Sequence, residues 1–207
     1  MRLDTDQHDA LPSLHTHSVN LAFYKALTMA DQICDIGDIA GYSYESKYRL
    51  LRVDQRLDTT DEDQFEIALV DDEALTVIYY ARVALVLIPK VSDQYFARHR
   101  VWRSADSYHS LALHGISEKV LYHYIVLSND LLLTEQAVSG SGHFYLLRQV
   151  SRAIEHGLYV YAYELANQTL RLIPSQLELS DIENTVWSVA GEDPIMALIS
   201  KNPLHGH

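Results

Sequence analysis

Asp106 and His109 place a carboxylate and an imidazole in one short polar loop. An imidazole with a pKa near 6.5 is a competent general base at neutral pH. A few residues on, Leu113-His114-Gly115-Ile116-Ser117 carries the chain from a loop into a helix. The backbone N–H groups of Gly115, Ile116 and Ser117 could hold a phosphate there, with His114 as a further donor, because N–H groups that open a helix point outward and the helix dipole favours an anion. The bland alternative is that Gly115 only lets the loop turn and His114 caps it.

Other groupings are poorer in chemistry. His15 and His17 share a face only in an extended segment, and neither a cysteine pair nor a His-Glu-x-x-His pattern completes a ligand set, so no metal site is expected. The single Cys34 excludes an internal disulfide and reads as a small buried apolar side chain on the first helix. Ser139 and Ser141 lack the residues of a nucleophile elbow, and Gly140 and Gly142 lack the lysine of a nucleotide-binding loop. Arg98, His99, Arg100 and Arg103 form a dense basic run. Alternation puts Arg98 and Arg100 on one face, as a small anion site or as partners for acids on the preceding strands. Arg148 and Arg152, four apart, share a helix face.

The elements that must position these groups read as α+β. Residues 1–13 form a tail and residues 18–35 a helix, while residues 44–53 suit a strand or a short helix equally. Residues 64–70 alternate apolar and polar, an acidic turn follows, and residues 74–88 form a long strand with one buried face, ended by Pro89. A third strand covers residues 95–103, and the apolar stripe of residues 116–127 predicts a helix. Leu131, Leu132 and Leu133 make a short buried strand. The small residues 139–142 precede a helix over 143–156, which Gly157 closes. Strands at 158–164 and 170–173, a helix over 179–189 around Trp187 and a strand at 195–200 complete the chain. The organisation expected is a helical or irregular segment at 14–62 packed on an α+β domain at 63–202, with a short tail at 203–207.

This order of elements resembles the GNAT-type N-acetyltransferase fold, in particular the divergent versions found in bacteriophages. The resemblance covers residues 64–202. It is carried by the strand Arg98-His99-Arg100-Val101-Trp102, by the loop 113–117, and by Leu131-Leu132-Leu133-Thr134-Glu135 followed by the small residues 139–142. The hairpin at 158–174 with Trp187 adds to it. It implies a mixed, mostly antiparallel sheet flanked by helices, with an extra N-terminal helical segment. It also implies two parallel strands, ending before His114 and at Thr134, that splay into a V for the pantetheine arm of acetyl-CoA. His114, Gly115, Ile116 and Ser117 would then hold the coenzyme, and Asp106 or His109 would supply the base.

Two departures from the family pattern stand out. Ala112 sits where the loop motif has Arg or Gln, and Ala153, Ile154 and Glu155 sit where the family has its tyrosine acid, with Tyr145 two turns away and expected to point elsewhere. They favour a catalytically degenerate protein that acts by binding a protein partner, as a virion component or a host-directed factor. An active acyl-CoA-dependent N-acyltransferase is the alternative, and whether the chain is an enzyme is left open.

Charge narrows the partners. A formal net charge of −12 repels phosphate and anionic lipid, so nucleic acid and membrane are disfavoured. Nine acids between Asp54 and Glu73 stand against Arg56 alone, which reads as a solvated face or, less often, as a mimic of nucleic-acid phosphate. No apolar run approaches the length of a spanning helix, and the N-terminus lacks a signal-peptide pattern, so a cytoplasmic or virion location is expected. Fourteen tyrosines, three of them alternating at Tyr159, Tyr161 and Tyr163, suit a strand face that is buried under a helix or contacts another chain, and a homo-oligomer is left open.

Overall fold

The computed structural model describes residues 11–57, 63–138, 142–185 and 195–204. Ser139, Gly140, Ser141, Trp187 and the terminal histidines, on which parts of the sequence reading fall, lie outside the described residues.

Alternating apolar residues build the strands β1 (Ile33–Asp35), β2 (Tyr48–Asp54), β3 (Gln64–Asp71), β4 (Thr76–Leu87) and β5 (Tyr95–Arg103). The strands β6 (Asp130–Thr134), β7 (Tyr159–Glu164), β8 (Thr169–Leu172) and β9 (Ile195–Ser200) follow. They form one sheet in the order β1-β2-β3-β4-β5-β6-β9-β7-β8. Each neighbouring pair is antiparallel except β5 and β6. The mostly antiparallel α+β class is as expected.

Helices cover both faces. Helix α1 (His17–Thr28) lies over β4, and its Tyr24 and Leu27 pack with Leu51, Val53, Ala68 and Tyr80. On the opposite face, a helical segment opens as α2 (Ile116–Glu118), continues as a π-helix (Lys119–Tyr124) and ends as a 3₁₀ turn (Ile125–Leu127). Helix α3 (Gly142–Glu155) and helix α4 (Gln176–Thr185) complete that face. The larger core lies here, where Leu50, Ile67, Tyr79 and Val101 from the sheet meet Ile116, Leu121, Leu146 and Val150. No helix among the described residues is long and apolar enough to cross a membrane.

Three local expectations change. The first helix stops at Thr28, whose hydroxyl bonds back to the Tyr24 carbonyl at 2.9 Å. The next residues pair as β1 with β2, with Ile33 opposite Val53. Cys34 therefore sits on an edge strand and is exposed rather than buried. Of residues 44–53, open between strand and helix, those from Tyr48 on belong to strand β2, because β3 pairs with it over its whole length. Tyr161 and Tyr163 are buried, but among Val91, Phe96, Met196 and Leu198 rather than under a helix.

Among the described acids of the stretch from Asp54 to Glu73, Glu66 and Asp71 are buried and Asp54 and Asp72 half-buried, while Asp63 and Glu73 are exposed. Asp72 takes two hydrogen bonds from Arg49 and one from the Tyr24 hydroxyl, and the Arg49 guanidinium holds its carboxyl below the usual range. The buried Asp71 carboxylate accepts the N–H groups of Glu73 and Ala74 and so shapes the β3–β4 turn. Glu66, only 1 % exposed, is chelated by the Arg56 guanidinium and accepts the Tyr80 hydroxyl at 2.6 Å. Removing one partner of a buried pair strands the other charge, which costs about 3 kcal/mol or more. Arg56→Ala should therefore lower the unfolding free energy by about 3 kcal/mol in urea titration, and a loss under 1 kcal/mol would contradict this pairing.

Candidate functional site

Strands β5 and β6 are paired over three positions only, Phe96 with Asp130, Ala97 with Leu131 and Arg98 with Leu132. Beyond Arg98, β5 stays registered with β4 as far as Arg103 opposite Tyr79, while β6 stays registered with β9 as far as Thr134 opposite Met196. The two parallel strands thus have no paired positions beyond Arg98, which leaves the backbone edge of β5 from His99 onward without β6 beside it, while His99 and Val101 point into the buried face of the sheet.

A cavity of about 140 Å³ lies between the end of β5, the 113–117 loop and α3, with Val138 at its edge. Alternation along β5 sends Val101 and Arg103 into it. The loop supplies Leu113, Gly115, Ile116 and Ser117. Ala112, Leu113 and Ile116 are buried anchors, and the Tyr42 hydroxyl bonds the Ala112 carbonyl at 3.3 Å. Gly115 caps the helical segment at φ +69°, with nothing within 4 Å of where a Cβ would stand. Its backbone conformation, not crowding, calls for glycine.

Helix α3 closes the cavity with Tyr145, Arg148, Gln149 and Arg152. Arg152 donates to Glu118 at 2.5 Å. Among the described residues, neither Arg103 nor Arg148 has a carboxylate partner. Three guanidinium groups, one of them paired with Glu118, concentrate positive charge at one small cavity in a chain of net charge −12.

Tyr145 meets His99 there. The His99 Nε2 atom and the Tyr145 hydroxyl are 2.9 Å apart, and His99 Nδ1 is buried without a partner among the described residues. Burial pushes the His99 imidazole down to about 4, so it is neutral at pH 7. Burial also raises the Tyr145 phenol well above its ordinary value, keeping it protonated. The Tyr79 hydroxyl is buried on the same face, and burial raises its phenol above the ordinary value.

The depressed His99 value has a consequence for stability. Between pH 6.5 and about 4 the unfolded chain binds a proton that the folded one refuses, so stability falls as pH drops through this window. The fall amounts to about 3 kcal/mol and levels off below it. His99→Gln should flatten the pH dependence of urea unfolding over that range; an unchanged slope would contradict a buried neutral imidazole.

Not all the residues singled out from sequence assemble. Gly115, Ile116 and Ser117 line the cavity, but His114 is exposed beside it. Asp106 and His109 line a separate cavity of about 450 Å³ on the α1 side, with His15, His17 and Trp102. The Asp106 carboxylate caps a 3₁₀ turn by accepting the Tyr108 N–H at 2.9 Å. His109 is buried, with Nδ1 3.2 Å from the Tyr48 hydroxyl and 3.9 Å from Asp71. Tyr145, expected to point elsewhere, faces the cavity. Tyr145, Arg148 and Arg152 recur at helical spacing, and that was the available signal.

Comparison of the chain with protein-family models, with curated proteins and with solved structures finds no match.

Proposed function

We propose that this chain has a GNAT-type acetyltransferase fold and is an acyl-CoA-dependent N-acyltransferase, with the coenzyme held where β5 and β6 part. The observation that carries the reading is the single cavity in which Gly115 and Ser117 meet Arg103, Arg148 and Tyr145. A volume of about 140 Å³ suits a phosphate group or the thioester end of the pantetheine arm, with the nucleotide lying outside along the surface. The two departures from the family pattern that favour a non-catalytic protein are each offset in space. Charge missing at Ala112 comes from α3 and β5, and a tyrosine missing at 153–155 comes from Tyr145.

In the reaction, a neutral amine attacks the thioester carbonyl carbon and passes its excess proton to water. The C–S bond breaks, and the departing sulfur takes the proton of the Tyr145 hydroxyl. In its Nε2–H tautomer the neutral His99 donates to the tyrosine oxygen, which leaves the phenolic proton free to point at the sulfur. Acyl amide and free thiol are the products, and Tyr145 regains its proton from water.

Thiol release from acetyl-CoA in the presence of a panel of amines, counted above the exposed Cys34, tests this. Tyr145→Phe should lower kcat about 100-fold or more while leaving the coenzyme Kd unchanged. An unchanged kcat would remove Tyr145 from the chemistry. A second reading, attachment to a protein partner without catalysis, is favoured by Phe144, 77 % exposed on α3, and by the exposed Leu177 on α4. Coenzyme binding with no thiol release from any amine would leave that reading in place.

A further inference from the structure

Glu118, His123 and His156 each offer a ligand atom, and the three atoms lie within 4.8 Å of one another. In sequence they are scattered, and Glu118 and His123 are five residues apart, which on an α-helix would set them roughly 140° from each other. The backbone between them is not α-helical. Lys119–Tyr124 is a π-helix, whose five-residue hydrogen-bonding repeat brings positions five apart onto one face. His156 comes from the end of α3, where Gly157 at φ +72° stops the helix and the Gly157 and Leu158 N–H groups bond back to Ile154 and Ala153. Two unrelated local features thus converge on one point.

We infer that Glu118, His123 and His156 form a binding site for a divalent transition-metal ion of the zinc class. The donor set of two imidazoles and one carboxylate suits Zn²⁺, Ni²⁺ or Cu²⁺ and disfavours Mg²⁺ and Ca²⁺, which take oxygen ligands. Geometry agrees. Ligands at 2.0–2.1 Å around a tetrahedral ion stand about 3.3 Å apart, and Glu118 Oε1 is 3.2 Å from His156 Nε2. The His123 and His156 rings are 5.8 Å apart at 85°, so the exposed His123 has only a short side-chain movement to make. The other carboxylate oxygen, Oε2, accepts from Arg152 at 2.5 Å, which fixes the orientation of Glu118 and leaves Oε1 for the ion. Three protein ligands leave a fourth position to water. Bound there, the ion clamps the π-helical turn to the end of α3. It stands apart from the acyl-transfer reading, since none of its three ligands lines the coenzyme cavity.

The test is calorimetric titration of the full chain with ZnCl₂, with Co²⁺ absorption to report coordination number. One Zn²⁺ per chain is expected, with a four-coordinate Co²⁺ spectrum. His123→Ala and His156→Ala should each weaken binding about 100-fold or more. His15→Ala, a change at a histidine outside the cluster, should leave it unchanged. Both substituted ligands sit at exposed positions, so circular dichroism should show an intact fold. No heat with up to millimolar Zn²⁺ would overturn the site. So would binding that survives in both cluster variants, or that is lost in His15→Ala.

Discussion

Gly142→Ala should cost about 4 kcal/mol of stability and lower Tm by roughly 10 °C or more. A Cβ on Gly142 would stand 1.5 Å from the Glu135 carbonyl oxygen, 2.5 Å from its carbon and 3.1 Å from its Cα. All three are backbone atoms, so no rotamer change relieves the clash. Neither side is free to move. The preceding residue, Thr134, is registered with Met196 of β9, and the Glu135 carboxylate is 2.7 Å from His143 Nδ1 at the start of α3. Relief would require shifting α3 away from the end of β6, and a clash with backbone that no rotamer can relieve falls at the upper end of the cost of overpacking. Gly115→Ala is the contrast. Open space surrounds its Cβ position, so only the left-handed backbone is penalised, at about 1 kcal/mol. Thermal unfolding of the two variants side by side checks the ranking, and a Gly142→Ala protein within 1 kcal/mol of the parent would contradict the close approach.

Replacing Arg103 and Arg148 together by alanine should weaken acetyl-CoA binding about 1000-fold, or about 4 kcal/mol, with little change in stability. With a phosphate of the coenzyme in the cavity, each would contribute a charge-assisted hydrogen bond, worth about 1.5–3 kcal/mol. Because neither has an acidic partner among the described residues, the substitutions strand no buried carboxylate. Arg152→Ala is a poorer probe, since it also frees Glu118. Isothermal titration of the double variant, with raised salt as a second axis, separates charge loss from misfolding. An unchanged Kd would place the coenzyme elsewhere.

Much of the sheet was legible because its signals are local. Alternation along residues 64–70 and 158–164, Pro89 after the long strand and Gly157 after α3 each mark an element through its own neighbours. What escaped depends on contacts distant in sequence. Residues 33–35 read as the tail of a helix until β2 is there to pair with them. The acids at Glu66 and Asp72 look solvated until Arg56 and Arg49 are brought beside them. The π-helical turn within 116–127 follows the same apolar stripe as an α-helix, so periodicity alone did not reveal it, and with it went the juxtaposition of Glu118 and His123. In the candidate site, the glycine loop was visible as a motif. The sequence marks His99 only by its basic neighbours, and Tyr145 lies two turns from the position where the resembling fold carries its tyrosine. Its orientation follows from where α3 packs, over β6, β9 and β7, with Tyr145 reaching His99 of β5.

The central claim is that the parting of β5 and β6 after Arg98 holds an acyl-coenzyme A. Calorimetric titration of the full chain with acetyl-CoA, repeated on Gly115→Glu, tests it most directly. The account predicts saturable one-to-one binding that the added carboxylate, set among Arg103, Arg148 and Ser117, abolishes in a protein that still folds. Absence of heat at millimolar coenzyme, or binding that Gly115→Glu leaves intact, would contradict it.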